Sequence, residues 1–409
     1  MVKIYKNFID GKWVSSNNKK TFPSLNPANK KIIGKFQDSN WQDVNIAVKA
    51  AEKAFKSWSE TPAPKRAEIL FETARLLREN KKELGRLVTI EMGKVISEAE
   101  GDVQEAIDIF EYMAGEGRRL FGNTTPSELK NKFCMTIRVP IGVVGLITQW
   151  NFPIAIPAWK ISAALICGDV IVFKPSSDTP LCAIGLLKIL IQAGVPKGVI
   201  NLVTGSGEEV GNAIIKHKKI RAISFTGSRD TGEFILKNAG IKRIGLEMGG
   251  KNPIIIMDDA DLDLALEGVL WGAFGTSGQR CTAASRVIIH KKVKDKFEKM
   301  LLARVKKLKL GAGSDKNTDV GPLINKKAIE KVHRYTEIGL KEGAKLLCGG
   351  KIANRKGFFY MPTIFTEVKP NMRIAQEEIF GPTLAIISVS DLDEAIKVCN
   401  SVEYGLSSS

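Results

Sequence analysis

One cysteine of this chain stands in surroundings that suit chemistry. Cys281 follows Ser277–Arg280 and precedes Thr282, so small and polar residues flank it where a structural thiol usually has apolar neighbours. A thiolate attacks carbonyl carbon well, and it is favoured beside cations and oriented backbone N–H groups, which Arg280 and the glycine-rich approach would supply. The local sequence also fits an inert buried thiol, since free cysteines are among the most buried residue types.

Cysteine spacing and charge argue against several classes of protein. The 409 residues include six cysteines and three histidines, without a CxxC pair or metal-ligand spacing, so neither a disulfide framework nor a metal site is indicated. The net charge is +17, but the densest basic run, Lys291–Lys296, belongs to a stretch whose apolar residues recur at three- and four-residue intervals from Val293 to Leu308. This pattern indicates a helix with a lysine-rich solvent face, and no nucleic-acid partner is expected.

The apolar runs are too interrupted for a membrane span. The longest, Ile154 to Phe173, contains Pro157, Lys160 and Asp169, and the first residues of the chain lack the apolar core of an export signal. We therefore expect a cytoplasmic protein with no membrane partner. At least two domains are expected, because single cores stop growing at about 250–300 residues.

Alternating strands and helices begin at Ile141 and predict an α/β fold with a parallel sheet covered on both faces. Short strands precede this region, and helices follow them to about Tyr112, with Ser39 or Asn40 as the cap of the first helix. Residues 133–139 roughly alternate between apolar and polar, which predicts a short strand at a sheet edge or a subunit contact. Four buried strands are predicted at 143–147, 170–173, 199–203 and 222–225.

The loops after these four strands hold candidate ligand-binding residues, because such sheets bind ligands outside the carboxyl ends of their strands. No GxGxxG or GxxxxGK[ST] fingerprint occurs, but Gly227–Gly232 opens a helix directly after a strand, and its N–H groups can bind a pyrophosphate. Lys174 ends a very apolar strand and is placed to donate to ribose hydroxyls. A tight turn and a solvated strand-end lysine are the alternatives for these two features.

Six motifs give the chain a specific resemblance. They are Trp150–Pro153, Lys174–Ser176, Phe225–Ser228, Leu246–Pro253, Gly278–Cys281 and Glu377–Pro382. In order and spacing they resemble the aldehyde dehydrogenase superfamily, and the resemblance covers essentially the whole chain. It implies two Rossmann-type three-layer α/β domains plus a small oligomerisation arm, and a non-phosphorylating, NAD(P)-dependent oxidation of an aldehyde to a carboxylic acid.

The resemblance implies catalytic roles for four residues. Cys281 corresponds to the nucleophile that forms a thiohemiacetal, and the Asn151 side-chain amide with the Cys281 backbone N–H corresponds to the donors that stabilise the oxyanion. Glu247 matches the general base that activates water to hydrolyse the thioester left after hydride transfer. Lys174 corresponds to a ribose-binding lysine of the active site.

The resemblance also implies a nucleotide site. Ser228 corresponds to a pyrophosphate ligand, and Glu378 and Phe380 to the residues that place the nicotinamide ribose and ring. Many members that prefer NAD carry a glutamate at the position of Ser177, where it repels a 2′-phosphate, so NADP is expected in preference to NAD. The other implied cofactor contacts are Ile147, Thr148, Trp150, Ser176, Gly207, Phe225, Gly227, Thr231 and Met248.

Arg280 gives the best indication of the substrate, a small-molecule aldehyde. It lies next to the nucleophile, in a funnel that Phe152, Trp159 and Thr282 would also line, and it could hold a carboxylate or phosphate at the far end of the aldehyde. An arginine bound to nearby backbone is the equal alternative. Family members with similar motifs act on 2-oxoglutarate semialdehyde, succinate semialdehyde and glyceraldehyde or its phosphate, so a short semialdehyde or hydroxyaldehyde is expected.

The resemblance also predicts the domain organisation. Residues 1–121 and 141–248 are expected to form the dinucleotide-binding domain, 249–409 the catalytic thiol domain, and 122–140 an arm that reaches another subunit of a homodimer or homotetramer. The cofactor would lie in the crevice between the domains. Chains of the family normally run on for several tens of residues, so the C-terminal part of the thiol domain is expected to be absent.

Two other functions stay open at this point. A related enzyme would pass the thioester to coenzyme A, but such enzymes generally lack the water-activating glutamate that Glu247 matches. A catalytically silent scaffold is the second alternative, because the C-terminal tail of the family is missing. The intact Cys281, Asn151, Glu247 and Lys174 argue against it.

Overall fold

The computed structural model describes residues 2–409. Their contacts form two compact units. The first comprises the residues up to Ser24, Ile32–Leu87 and Glu100–Glu247, and the second comprises Leu25–Lys31, Val88–Ala99 and Met248–Ser409. The stretches 25–31 and 88–99, which the sequence analysis assigned to the dinucleotide-binding domain, therefore group with the second unit.

The described residues contain strands and helices throughout both units. The strands are β1 (Asn7–Ile9), β2 (Lys12–Val14), β3 (Thr21–Leu25), β4 (Ile32–Gln37), β5 (Thr124–Thr125), β6 (Cys134–Met135), β7 (Val143–Ile147), β8 (Val170–Lys174), β9 (Ile200–Leu202), β10 (Ile220–Thr226), β11 (Arg243–Glu247), β12 (Asn252–Ile256), β13 (Ala284–His290), β14 (Lys345–Cys348), β15 (Thr363–Thr366) and β16 (Thr383–Val389). The α-helices are α1 (Trp41–Glu60), α2 (Ala63–Glu79), α3 (Lys81–Met92), α4 (Ile96–Glu116), α5 (Ala155–Cys167), α6 (Pro180–Gln192), α7 (Asn212–Lys216), α8 (Arg229–Asn238), α9 (Leu262–Phe274), α10 (Lys291–Val305), α11 (Lys326–Lys341), α12 (Arg373–Gln376) and α13 (Leu392–Cys399).

A seven-stranded sheet forms the centre of the first unit, in the order β11-β10-β7-β8-β9-β1-β2. The five strands from β11 to β9 run parallel, whereas β1 is antiparallel to β9 and β2 is antiparallel to β1. Every residue of β7 and β8 is buried, because helices such as α1 and α5 pack against these central strands. The α/β class predicted from the sequence is confirmed.

Local sequence explains where the first helix and the lysine-rich helix begin and which faces they bury. Asn40, rather than Ser39, caps α1, because its side chain accepts from the N–H groups of Gln42 and Asp43 while the Asp43 carboxylate accepts from the Asn40 N–H. In α10, Phe297, Leu301 and Val305 of the predicted stripe are buried, whereas Val293 is half-buried and Leu308 lies beyond the end of the helix. Lysines 291, 292, 296 and 299 are exposed, as the sequence pattern predicted, but Lys294 is largely covered and forms ion pairs with Glu298 and Glu367.

The arm is less regular than its sequence suggested. The strand predicted over residues 133–139 is reduced to β6, which pairs antiparallel with β5 over two residues. Apolar side chains along the arm are exposed rather than packed, so the chain offers no inner face on which a longer strand could form. The exposed side chains are Phe121, Leu129, Phe133, Met135, Ile137 and Val139.

The second unit contains a five-stranded sheet with the order β12-β13-β16-β15-β14. Strands β12, β13, β16 and β15 are parallel, and β14 is antiparallel to β15. Buried aliphatic and aromatic residues on both faces of the sheet form its core. Among residues 2–409, no helix has both the length and the apolar character that crossing a bilayer would require.

Candidate functional site

In the first unit, the strand ends bring several predicted residues together at one edge of the sheet. The parallel pairing sets Ile147, the last residue of β7, beside both Lys174 of β8 and Phe225 of β10. The next step of β10 sets Thr226 beside Glu247, the last residue of β11. The Thr148 N–H also donates to the Lys174 carbonyl at 3.2 Å, so the chain after β7 stays against the end of β8.

Lys174 is a buried lysine rather than a solvated one. Its side chain is 4% exposed, and its Nζ donates to the Pro175 carbonyl at 3.0 Å. Burial lowers the pKa of Lys174 to about 8, although the nearby charge of Asp178 acts in the opposite direction. The alternative of a solvated strand-end lysine is therefore wrong for Lys174. An anionic ligand bound at this edge of the sheet would stabilise the charged form of its side chain.

A pocket of about 420 Å³ lies beside this edge within the first unit. Its wall is largely apolar, and the predicted residues Ile147, Gly207, Phe225 and Thr231 contribute to it. An apolar slot bordered by a few polar groups suits a flat aromatic ring such as a purine. The sequence analysis missed the other lining residues, which are Glu208, Gly211, Asn212, Ile215, Asp230, Phe234 and Ile235.

The spacing of these missed residues is the signal that could have found them. Gly207–Gly211 forms a π-helical turn that continues into α7, so 208, 211, 212 and 215 recur on one side of consecutive turns. Residues 230, 231, 234 and 235 do the same at the start of α8. Both helices thus present one edge to the pocket.

Three predicted serines of the first unit have defined partners. Ser228 is the N-cap of α8, and its Oγ accepts from the Thr231 N–H at 3.3 Å. Ser177 Oγ donates to the Gly205 carbonyl at 2.9 Å, whereas Ser176 Oγ accepts from the Asp178 N–H at 3.2 Å. Ser177 is therefore turned toward backbone, and it presents no negative charge to a ligand.

Asn151 is buried in the loop between β7 and α5. Its side chain is 1% exposed, and its Oδ1 has no hydrogen-bond partner within residues 2–409. An unpaired buried polar atom costs about 1–3 kcal/mol, and turning the amide over would exchange its oxygen and nitrogen at this position. The amide therefore has one end available to a reacting group. Phe152 and Trp159, the other predicted residues of this region, are half-buried, as is Trp150.

Glu247 ends the edge strand β11, where its side chain is exposed. The pKa of the neighbouring Lys160 falls to about 8 because of burial, and the charge of Glu247 partly opposes that fall. Lys160 Nζ also donates to Ser224 Oγ of β10 at 3.0 Å. Lys160 is a buried cation that the sequence analysis missed, because it lies in the apolar face of α5 without a recognisable motif.

In the second unit, Cys281 follows a turn with an unusual backbone. Thr276, Ser277 and Gly278 have φ angles of 51°, 56° and 69°, so three successive residues are left-handed. A β-branched residue in this region is rare, and each such non-glycine residue costs about 1–3 kcal/mol. Cys281 itself is partly exposed, and its carbonyl accepts from Asn252 Nδ2 at 2.6 Å.

Arg280 has contacts that match the backbone-bound alternative. Its Nη2 donates to the carbonyls of Trp271 and Gly272, at the C-terminal end of α9, and its guanidinium stacks 3.9 Å from the centre of the Trp271 ring. The side chain is buried, while its neighbour Thr282 is exposed. These contacts fix the arginine beside the cysteine.

Glu378 and Phe380 lie with Arg280 along one small cleft of the second unit. Glu378 Oε1 accepts from the Gly250 N–H at 3.1 Å, and burial raises the pKa of its carboxyl despite that bond. Phe380 is held with a φ of 63°, and Met248 is half-buried at the start of the same unit. The predicted residues thus form two groups, one in each unit.

Comparison with known proteins agrees with this fold. The model of the aldehyde dehydrogenase family matches residues 13–409. The alpha-ketoglutaric semialdehyde dehydrogenase of Bacillus subtilis is 42% identical, over 99% of this chain and 84% of its own. The NADP(+) succinate-semialdehyde dehydrogenase of Escherichia coli is 39% identical, over 97% and 83%.

A solved structure shows the same architecture. The betaine aldehyde dehydrogenase of Staphylococcus aureus in complex with NAD+ superposes with a TM-score of 0.97 at 39% identity, and the match covers 99% of this chain and 82% of that one. A family match over nearly the whole length, together with these relatives, leaves one conclusion. The chain belongs to the aldehyde dehydrogenase family, as an NAD(P)-dependent enzyme that oxidises small aldehydes to carboxylic acids.

Proposed function

We propose that Cys281 carries the oxidation through a covalent intermediate. The thiolate adds to the aldehyde carbon and forms a thiohemiacetal, whose oxyanion the Asn151 amide and the Cys281 N–H stabilise. A bound nicotinamide supplies the hydride acceptor. The thioester that remains on the sulfur is attacked by a water whose proton Glu247 accepts, which releases the carboxylic acid and the thiol.

The observation that carries this proposal is the conformation ahead of Cys281. A partly exposed thiol follows a turn of three left-handed residues, and backbone strain of this kind persists where it serves a function. The buried Asn151 amide supports the oxyanion role, because its Oδ1 is unpaired and the amide turned over would present an N–H donor at that position. Burial lowers the pKa of Lys160 and the charge of Glu247 partly opposes that fall, so the two groups interact electrostatically. This interaction supports a role for the Glu247 carboxylate in proton transfer.

The first unit suits the adenosine end of a dinucleotide. Its apolar pocket fits a purine, and the start of α8 at Ser228 offers N–H groups to a pyrophosphate. Lys174 ends β8 and pairs in register with Ile147, which lines the pocket. Glu378 and Phe380 of the second unit are proposed to bind the nicotinamide end. We propose NADP as the preferred cofactor, because Ser177 brings no carboxylate to repel a 2′-phosphate.

We propose a short semialdehyde with an anionic tail as the substrate. Support comes from the two relatives that act on carboxylate-bearing semialdehydes and from the net charge of +17. Arg280 is the proposed anion ligand beside the nucleophile, although its guanidinium also binds backbone. The alternative of a cationic substrate has support from the betaine aldehyde dehydrogenase fold match.

We further propose a homodimer or homotetramer in the cytoplasm. The support is the arm, residues 122–140, whose apolar side chains are exposed and would gain stability by burial against a second copy. Sedimentation equilibrium measures the assembly directly, and a monomer at all concentrations would contradict it.

Replacing Cys281 and Glu247 tests the covalent mechanism. Cys281→Ser should lower kcat by at least about 10³-fold, because the hydroxyl is a far weaker nucleophile than a thiolate. Glu247→Gln should instead leave a rapid burst of NADPH, about one per active site, followed by slow turnover, since only thioester hydrolysis lacks its base. Stopped-flow absorbance measures both. Cys348→Ser is the matched control with unchanged turnover, and a Glu247→Gln enzyme without a burst would contradict the assigned order of steps.

A pH dependence of cofactor binding should follow from buried Lys174. With a pKa of about 8, Lys174 of the free enzyme is protonated and positively charged below pH 8. The affinity for the anionic NADP should therefore be highest below that pH and should fall above it, by up to about tenfold per pH unit. Fluorescence titration from pH 6.5 to 9.5 measures the dissociation constant. Lys174→Met should bind more weakly at low pH and lose this dependence, whereas exposed Lys188→Met should keep it. An unchanged profile in Lys174→Met would refute the assignment.

Charge at position 177 should set the choice between the two cofactors. The wild type is expected to have the higher kcat/KM with NADP, and Ser177→Glu should reverse the preference through repulsion of the 2′-phosphate, by about 10²-fold or more in the ratio. Initial rates at limiting cofactor measure it, with Ser177→Gln as the uncharged control of equal size. A wild-type preference for NAD would overturn this prediction.

Three aldehydes of different charge test the substrate class. The value of kcat/KM should be highest for 2-oxoglutarate semialdehyde, lower for neutral propanal and lowest for cationic betaine aldehyde. Arg280→Gln should narrow the difference between the charged semialdehyde and propanal if the guanidinium binds the carboxylate. A uniform loss for all three aldehydes would instead assign Arg280 to positioning alone, and a preference for betaine aldehyde would reject the anionic class.

A further inference from the structure

A short segment from early in the chain fastens the turn that precedes Cys281. Residues 88–99 group with the second unit, and the first turn of α4 within this segment contributes Glu98. The Glu98 carboxylate accepts from the Thr276 N–H with both oxygens, at 2.8 and 2.9 Å, and from Thr276 Oγ1 at 3.2 Å. One half-buried carboxylate thus binds both polar donors of a left-handed threonine.

The same turn is tied at its other residues. Ser277 Oγ donates to the Gly321 carbonyl at 2.8 Å, and Gln279 Oε1 accepts from the Ile324 N–H at 2.9 Å. These bonds hold Ser277 and Gln279, and Gln279 also binds the Thr276 carbonyl, through its N–H at 3.0 Å and its Nε2 at 3.3 Å. Glu98 binds the two donors of Thr276, the β-branched residue whose left-handed backbone is the least favourable of the three.

Packing leaves little freedom at the point where Glu98 and Arg280 approach the turn. A Cβ added to Gly275 would lie 2.9 Å from Arg280 Nη2 and 3.1 Å from Glu98 Oε1. Both side chains therefore occupy the space that a side chain at 275 would need.

We propose that Glu98 is a positioning residue for the nucleophile, which keeps Thr276 left-handed and so fixes the backbone that leads to Cys281. The proposal rests on Cys281 as the nucleophile. Loss of Glu98 should leave cofactor binding unchanged, since Glu98 binds Thr276 rather than a residue of the proposed cofactor site. It should disturb the direction of the sulfur and of the Cys281 N–H, and a misplacement of about 1 Å can cost about 10²-fold in rate.

A four-variant cycle with Thr276→Gly tests the proposal. Glu98→Ala should lower kcat by about 10- to 100-fold, and Glu98→Gln less, because its carbonyl oxygen still accepts from Thr276. Thr276→Gly removes the steric cost of the left-handed backbone, so in the Glu98→Ala background it should restore kcat several-fold. Glu111→Ala is the matched control, because it removes an exposed charge from the same helix, where the ion pair with Arg78 contributes little.

Readouts other than turnover separate positioning from general destabilisation. The rate of Cys281 alkylation by iodoacetamide, followed by mass spectrometry of the peptide, should fall with kcat in Glu98→Ala, while the NADP dissociation constant stays within about twofold. Unchanged kcat and alkylation in Glu98→Ala would overturn the proposal, as would a loss of cofactor affinity in parallel with kcat without rescue by Thr276→Gly. If Cys281→Ser kept its activity, the nucleophile assignment itself would fail, and the alkylation data would still report on the turn.

Discussion

The left-handed turn at residues 276–278 is the constraint on which the proposed chemistry of Cys281 depends. Only Gly278 takes this conformation without penalty, and a Cβ there would lie 2.1 Å from the Gly381 carbonyl, so glycine is required for space as well. Thr276 and Ser277 take it because surrounding groups bind their donors. Favourable contacts elsewhere in the fold thus offset the cost of this strained backbone, which sets the orientation of the Cys281 side chain.

Buried polar and charged groups also lower the folding stability of the two units. Lys174, Lys160 and Lys251 are all removed from water, and burial lowers their pKa values to about 8, 8 and 7. Lys251 Nζ and Asn151 Oδ1 have no partner within the described residues. Groups of this kind reduce stability unless something is bound to them, which supports the proposed binding of ligands near Lys174 and Asn151.

Sequence predicted the elements that depend on local pattern. The strand at 143–147 has the bounds that its apolar run predicted, and Asn40, one of the two predicted caps of α1, does cap that helix, because its short polar side chain accepts from free N–H groups of the first turn. The arm strand was predicted too long, since alternation indicates a strand only where one face is buried. The pocket residues of α7 and α8 were missed because their grouping depends on two helices packing side by side.

The least predictable contacts join residues distant in sequence. Nothing in the pattern around Glu98 indicates that its partner is Thr276, because the pairing is a property of the packed second unit. The contacts of Arg280 were also only partly predictable from the sequence. Its place beside the cysteine was evident from the sequence, but its bonds to the carbonyls of α9 depend on where that helix ends.

The interleaving of the two units has a consequence for biosynthesis. Segments 25–31 and 88–99 emerge from the ribosome long before residues 248–409, yet they belong to the unit which those later residues complete. During translation, Glu98 is synthesised long before its partner Thr276. The hydrogen bonds between Glu98 and the turn can therefore form only after residues 276–278 have been added to the chain. Cys281, the proposed nucleophile, therefore acquires its final environment late, after most of the polypeptide has been synthesised.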